Sequence, residues 1–418
     1  MEITVLGAAR EVGRSAFLVR SMDSKVLLDF GVQLTKEPTF PIHVSPKDID
    51  GILLSHAHLD HSGAIPLFYI SGNTNLYTTE VTLELTKILI EDFLKISGFY
   101  LPFEYIDLLS MIKSTHKLKF NEKVSIKGFD ATFLEASHVP GGASILLESS
   151  KGRLLYTGDI NSRGSLLLRG ANTNFGELDA IITESTYAMT DHPNGEDVEK
   201  EFINFAKEVI ERGGTLLVPA FSVGRAQEMA CVLKKHNFPY PVAMDGMALK
   251  VNDVLFRYQE YLKDSSLFRK SMESVEFITS WSQRKRLVKT PSVIISPAGM
   301  LVGGAAVFYN SEVSKKPKNA IAIVSYQIPG TPGRTLLEKR VAIINGKPRK
   351  VKAEVRQFDF SSHSGRKELF DMIKRIKGSP KVFTVHGEKE SCIKFAEEIK
   401  SYFGLDAIAP KAGNTYII

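Results

Sequence analysis

The sequence predicts an α/β protein in which one domain is interrupted by another. Three observations carry this prediction. The first 160 residues are short apolar runs with Gly, Asp, Asn or Ser near most of the breaks. Residues 194–326 alternate apolar strand with helix, and after Arg340 the pattern returns to strands. Alternation of strand and helix indicates a parallel sheet flanked by helices, and a pattern that is left and then resumed indicates an insertion.

Strands are expected at Ile3–Leu6, Phe17–Val19, Lys25–Asp29, Gly51–Leu54, Lys123–Ile126, Thr132–Glu135, Ser144–Leu147 and Arg153–Tyr156, with turn formers at or near most of the breaks. Between them Val81–Ile112 carries apolar residues at helical spacing. It reads as a helix pair broken near Pro102, since proline has no amide hydrogen for the helical ladder. In the insertion, strand Gly214–Pro219 precedes a helix from Gly224 to Lys235, and Val242–Met244 leads to a helix through Tyr261. Val293–Ser296 and Ile321–Val324 are further buried strands. Strands Arg340–Ile344 and Val351–Phe358 follow, then Val382–Val385 between two helices. The apolar run Asn414–Ile418 is expected to finish a sheet or to serve a homodimer contact. This places the outer domain at residues 1–188 and 336–418 and the insertion at 189–335.

Composition narrows the class. Of 418 residues, 43% are hydrophobic and 24% charged, which excludes a disordered chain, a collagen-like repeat and a disulfide-stapled mini-domain. Two cysteines, Cys231 and Cys392, cannot build a disulfide framework or a Cys-rich zinc finger and fit a reducing compartment. No apolar stretch approaches a membrane span, so a cytoplasmic location is expected. The formal charge is +6, which permits a polyanionic partner without demanding one. The cations are clumped at Arg284-Lys285-Arg286, Lys315-Lys316-Pro317-Lys318 and Lys347-Pro348-Arg349-Lys350-Val351-Lys352. Each clump taken alone reads as a solvated loop, unless phosphate is expected nearby.

The strongest local signal is Ser55-His56-Ala57-His58-Leu59-Asp60-His61, directly after the strand Gly51–Leu54. Three imidazoles and a carboxylate within six positions make a poor core and a good donor set for Zn²⁺. In an extended stretch His56 and His58 project to one side, while Asp60 and His61 begin the next turn and can face a second ion. Three other histidines occupy small-residue or strand-end settings: His138 in Ser137-His138-Val139-Pro140-Gly141-Gly142, His363 in Ser361-Ser362-His363-Ser364-Gly365, and His386 after Thr384-Val385. Asp29, Asp159 and Glu184 each end an apolar strand, where an acid on its own is commonly a turn former or cap. His43, His116, His192 and His236 lack this context and read as ordinary surface or loop histidines.

In these motifs the sequence resembles the metallo-β-lactamase fold nucleases of the β-CASP group, over almost the whole chain. Asp29 matches the family's first motif, His56 to His61 the second, His138 the third and Asp159 the fourth. Glu184, His363 and His386 match the motifs A, B and C that set the β-CASP nucleases apart. Further matches lie in Pro219–Glu228, Ser296–Met300 and Ser325–Arg334. The resemblance implies a metallo-β-lactamase αββα sandwich carrying an inserted α/β β-CASP domain, with the active site in the cleft between them. It implies two Zn²⁺ per chain, with Mn²⁺ as a substitute: one held by His56, His58 and His138, the other by Asp60, His61 and His386, with Asp159 bridging. Two metals so placed share a hydroxide and grip both the attacking and leaving oxygens of a phosphodiester. His363 matches the position that protonates the leaving ribose oxygen, Glu184 orients that imidazole, and Asp60 serves catalysis as well as metal binding. Asp29 is expected behind the ligands, tightening their loop.

The substrate implied is single-stranded RNA, cut as an endonuclease, a 5′-to-3′ exonuclease or both, because a polymer explains so large an insertion and a narrow cleft favours one strand. Arg225, Arg334, Ser361, Ser362 and Ser364 are the candidate RNA contacts, although Arg225 could equally brace its own helix. RNA-processing protein partners are a further expectation. The sequence is similar to the endonuclease subunit of cleavage and polyadenylation specificity factor, its archaeal relatives and RNase J. The metal motif begins at residue 56 and 32 residues follow His386, so the chain resembles the bare nuclease core of the shorter archaeal relatives, without a KH domain. A DNA nuclease of the same superfamily is the first alternative, disfavoured by His386 where a Val is expected in that branch. A small-molecule hydrolase is disfavoured by the insertion. A non-catalytic RNA-binding subunit is disfavoured because every ligand is kept.

Overall fold

A computed structural model describes residues 1–34, 37–97 and 100–418; residues 98–99 of the expected helix pair lie outside the described residues. The chain forms two compact units. One comprises Met1–Gly164, Gly170–Asp191 and Ser362–Ile418, the other Ser165–Arg169 and His192–Ser361.

The first unit is built on two seven-stranded sheets. One runs Thr415–Ile417, Glu2–Val5, Phe17–Ser21, Ser24–Leu28, Gly51–Leu53, Leu76–Thr79, Thr115–Leu118. The other runs Ala407–Ile408, Lys381–Val385, Ala180–Glu184, Gly152–Tyr156, Ala143–Ser149, Phe129–Glu135, Lys123–Ile126. Their facing sides are apolar by the two-residue alternation of a strand. Ile3, Phe17, Val19, Val26 and Leu28 of the first sheet meet Phe133, Ile145, Leu147, Ile182 and Phe383 of the second in one core. Each such side chain removed from water contributes about 1.5–3 kcal/mol.

The outer faces are covered by helices, which is why central strands such as Ser24–Leu28 are apolar on both sides. Leu27, Ile52 and Leu54 pack with Ile90 and Phe93 of helix Glu80–Ile96 and with Leu108 and Met111 of helix Tyr105–Lys113. Leu155, Ile181 and Val382 pack with Leu369 and Met372 of helix Arg366–Arg375 and with Phe395 and Ile399 of helix Lys389–Phe403. The result is the expected αββα sandwich. The helix pair breaks where the sequence placed Pro102, and Thr79 caps its first helix by accepting from Thr82 N at 3.2 Å. The run Asn414–Ile418 contributes Thr415–Ile417, which pairs antiparallel with Glu2–Val5 and so finishes a sheet.

The second unit holds a six-stranded, wholly parallel sheet in the order Glu276–Ile278, Val242–Asp245, Val293–Ser296, Leu216–Pro219, Ala320–Ile323, Glu354–Gln357. Its last strand sets a difference from the sequence reading. The chain leaves this unit between Ser361 and Ser362 rather than at 335–336, because Glu354–Gln357 pairs with Ala320–Ile323. The expected strand Val351–Phe358 is thereby shorter. The residues before it form a hairpin, Val341–Ile344 with Lys347–Lys350, around Asn345-Gly346 at φ 52° and 73°. Positive φ at both central residues is the turn that matches strand twist, which an Asn-Gly pair supplies. Strands Leu76–Thr79 and Thr115–Leu118 were not legible, since Thr78, Thr79 and Lys117 blur the alternation.

Candidate metal centre

The seven predicted ligands, with Asp29, Glu184 and His363, lie in the first unit and come together at one rim of its sheets. Ser24–Leu28 and Gly51–Leu53 run parallel, so Asp29 and the His56–His61 run leave the same edge. Phe129–Glu135, Gly152–Tyr156, Ala180–Glu184 and Lys381–Val385 point one way, and His138, Asp159, Glu184 and His386 stand at or just beyond their ends. The strands spend their residues on the core and leave polar groups to this rim, the usual place for a ligand site in such sheets. The backbone turns sharply there. Asp29, Ser137 and His386 take φ of 56°, 59° and 46°, a left-handed conformation that costs a non-glycine residue about 1–3 kcal/mol.

Two groups of donors form around Asp159. Donor atoms of His56, His58, His138 and Asp159 lie within 4.8 Å of one another, as do those of Asp60, His61 and His386. Asp159 Oδ2 is 3.6 Å from His56 Nε2 and 3.5 Å from His138 Nε2. Its Oδ1 is 3.4 Å from His61 Nε2 and 3.3 Å from His386 Nδ1. His138 Nε2 lies 3.1 Å from His58 Nδ1, and His386 Nε2 lies 3.2 Å from Asp60 Oδ2. Donors set tetrahedrally about 2.1 Å from one ion would stand about 3.4 Å apart, so these spacings fit. Among the described residues, His56 Nε2 and Asp159 Oδ1 are buried without a hydrogen-bond partner. A buried polar atom left this way is costly unless something absent from the protein alone satisfies it. The donor set therefore fits metal ions.

A layer of buried groups orients the donors. Asp29, fully buried, accepts from Ser55 N at 2.7 Å, Ser55 Oγ at 2.6 Å, Tyr156 Oη at 2.6 Å and His61 Nδ1 at 2.7 Å. That bond places the His61 proton on Nδ1 and aims Nε2 at Asp159 and His386. Ser55 Oγ, donating to Asp29, accepts from His56 Nδ1 at 3.1 Å and aims that ring's Nε2 at Asp159. His138 Nδ1 donates to Ser362 O at 3.0 Å, again freeing Nε2.

Charge sorts the histidines. Burial pulls His56, His58 and His138 down from the ordinary imidazole value, so they stay neutral with a lone pair to offer. Burial also acts on His61, but Asp159 and Asp60 outweigh it and hold its imidazolium well above the ordinary value. Against burial, the neighbouring histidines keep Asp60 and Asp159 below the usual carboxylate range. The field that retains a proton on His61 is the field that attracts a divalent cation in its place.

Glu184, buried, accepts from Ile160 N at 2.7 Å through Oε1 and from His363 Nδ1 at 2.8 Å through Oε2. Burial lowers the His363 pKa, and the Glu184, Asp159 and Asp60 carboxylates overcome it, pushing the group up to about 9. The His363 ring stands 4.4 Å from that of His138, centroid to centroid.

The candidate RNA contacts divide. Ser362 spends its carbonyl on His138. Ser364 is buried, its hydroxyl accepting from Ser162 N at 3.1 Å, so it braces a loop instead of facing solvent. In the second unit Arg225 is buried and pairs with Glu228 at 2.6 Å, the helix-bracing alternative. Arg334 pairs with Glu338 at 2.5 Å, and Ser361 N donates to Asp359 at 3.1 Å. His192, read as an ordinary surface or loop histidine, is buried against Asp359 at 2.7 Å, a partner 167 positions away. Sequence reasoning missed Ser55 and Tyr156 as the supports of Asp29, and it missed Gly31. A Cβ on Gly31 would lie 1.8 Å from Asp60 O, so only glycine lets the two loops touch. A Tyr closing its strand directly after Leu154-Leu155 was the available signal for Tyr156.

The fold and this rim define a class: the chain belongs to the metallo-β-lactamase superfamily, in the branch carrying a Beta-Casp domain. Residues 9–191 match the metallo-beta-lactamase superfamily, 226–336 the Beta-Casp domain and 348–410 the Zn-dependent metallo-hydrolase RNA specificity domain. Within that branch its relatives include archaeal proteins. RNase aCSPSF2 of Saccharolobus solfataricus is 39% identical over 415 residues, covering 98% of this chain and 84% of that protein. Probable RNase MJ4 of Methanocaldococcus jannaschii is 37% identical over 426 residues, 99% of each. Transcription termination factor FttA of the same organism is 34% identical over 98% of this chain and 70% of its own length. A solved structure of a protein of unknown function from Enterococcus faecalis shares the fold, with a TM-score of 0.63 at 15% identity over 100% of this chain and 99% of that one.

Proposed function

We propose that this chain is a metal-dependent ribonuclease that hydrolyses phosphodiester bonds of single-stranded RNA, as an endonuclease, a 5′-to-3′ exonuclease or both, in RNA processing or decay. The observation that carries the reading is the Asp159 carboxylate faced by two donor groups beside the Glu184–His363 pair. The two relatives named as RNases and the RNA specificity match support RNA as the substrate.

His56, His58 and His138 on one side, and Asp60, His61 and His386 on the other, would each hold an ion with Asp159 between. An imidazole-rich set with two carboxylates suits Zn²⁺, with Mn²⁺ as a substitute. Two such ions supply a water of lowered pKa and positive charge against the negative charge that builds on the phosphoryl oxygens. Asp29 fixes the His61 tautomer directly and that of His56 through Ser55. Glu184 accepts a hydrogen bond from His363 Nδ1–H and leaves Nε2–H to deliver to the departing ribose oxygen. RNA-processing partners and a homodimer belong to the same proposal. A second copy would add at the open edge of Thr415–Ile417, where Ile417 is exposed.

Linear and circular single-stranded RNA and DNA of one sequence, incubated with the protein with and without EDTA, test the reading. RNA is expected to be cut, EDTA to abolish the cut and Zn²⁺ or Mn²⁺ to restore it; cutting of circles marks endonuclease action. Chelator-insensitive cleavage, no cleavage at high enzyme, or preference for DNA refutes it.

A further inference from the structure

Two of the three basic clumps in the sequence become one surface in the second unit. Lys352 N donates to Ser314 O at 2.8 Å, which seats the run from Lys347 to Lys352 beside the loop beginning at Lys315. The hairpin presenting that run is anchored by Ala342 and Ile344, both in the core, while all four residues of its second strand are exposed. Pro348 can stand there because, among the described residues, nothing pairs with the outer edge of that strand.

Lys339, Arg340, Lys347, Arg349, Lys350 and Lys352 are all exposed, and no acidic residue occurs between 339 and 352. None of the six has an ion pair or side-chain hydrogen bond among the described residues, and neither has exposed Lys316. Neighbouring cations are treated differently: Lys315 pairs with Glu312, Arg334 with Glu338, and Arg212 and Arg356 with Glu354. Seven cations without an ion pair among the described residues thus share one surface. The tract is a local concentration of positive charge that no ion pair among the described residues offsets. Lys347 and Arg349 share one face of the ribbon, about 7 Å apart along the strand.

We propose that this hairpin and the adjoining loop bind the phosphate backbone of single-stranded RNA, as an electrostatic tract outside the metal centre. The inference rests on the RNA reading above and adds a binding surface that the hydrolytic groups do not require. Contacts of this kind carry no base specificity and are strongly salt-dependent, because each neutralised phosphate releases counterions.

The test is fluorescence anisotropy with a phosphorothioate-linked single-stranded RNA, which resists hydrolysis, titrated at several salt concentrations. Removing three cations in K347Q/R349Q/K350Q is expected to lower the salt slope by about 2 and the affinity by about 100-fold at about 0.1 M salt. The charge-conserving K347R/R349K/K350R keeps both, which separates charge from folding. Cleavage of a short oligonucleotide stays unchanged in both variants. An unaltered slope and affinity in the glutamine variant overturns the proposal and leaves the nuclease reading intact. RNA that is bound through these cations but never cut sinks the nuclease reading and leaves the tract.

Discussion

Asp29→Asn isolates the charge that organises the metal centre. Asparagine keeps the shape and tolerates the left-handed backbone at this position, φ 56°, so no new strain enters. The amide oxygen can go on accepting from Ser55 N. The hydroxyls of Ser55 and Tyr156 can rotate to accept from the new NH₂ group, but His61 Nδ1–H cannot, and two donors then face each other at about the former 2.7 Å. One charge-assisted bond is lost and a buried donor is left unsatisfied, together about 2–5 kcal/mol of folding stability. His61 escapes the clash by giving up its Nδ1 proton and keeping the one on Nε2, which withdraws the lone pair otherwise offered toward Asp159 and His386. Affinity for the ion held with Asp60 and His386 should fall about 10- to 100-fold, and the ion held with His56 should weaken less, since Ser55 stands between. Urea denaturation reads the first effect; competition with a chromophoric chelator, resolving two stoichiometric steps, reads the second. A variant that binds both ions as the wild type does would refute the reasoning, even if it were less stable.

Two further outcomes follow from contacts at the same rim. Gly31→Ala puts a Cβ 1.8 Å from Asp60 O and 2.0 Å from its carbonyl carbon, a backbone that cannot swing aside. Displacing the Asp60–His61 turn by about 1 Å is expected to cost about 100-fold in cleavage, with one ion per chain lost by elemental analysis; two retained ions and full turnover would contradict it. Glu184→Gln addresses the raised His363 pKa in the cation-free protein. A histidine raised from 6.5 to about 9 contributes stability in full below about 6.5 and loses it as pH climbs through about 9, at most about 3 kcal/mol. Wild type and variant should therefore differ most at about pH 6 and converge by about pH 10; a gap in urea midpoint constant across that range would exclude the ion pair as its source.

How much could be read beforehand depended on whether the cause was local. His56 to His61 was legible because four potential metal donors fall within six positions, and Asp159, Glu184 and His386 because each ends an apolar run. That the ends of Phe129–Glu135, Gly152–Tyr156, Ala180–Glu184 and Lys381–Val385 share one rim is a matter of long-range register, which no window of sequence contains. The same holds for His192, whose burial depends on Asp359, and for Tyr156, whose hydroxyl is explained only by Asp29. The point of return from the insertion differs because Glu354–Gln357, Glu-Val-Arg-Gln, carries no local mark of which sheet it joins, and only its pairing with Ala320–Ile323 assigns it.

The order in which the ligands occur along the chain bears on biosynthesis. His56, His58, His138 and Asp159 leave the ribosome before the second unit, whereas His363 and His386 emerge only after it. Glu2–Val5 likewise waits for Thr415–Ile417 to cover its edge. A polypeptide that stops before residue 386 lacks one donor of the Asp60–His61 group, so on the proposed ligand set that group is completed only after the second unit has been made.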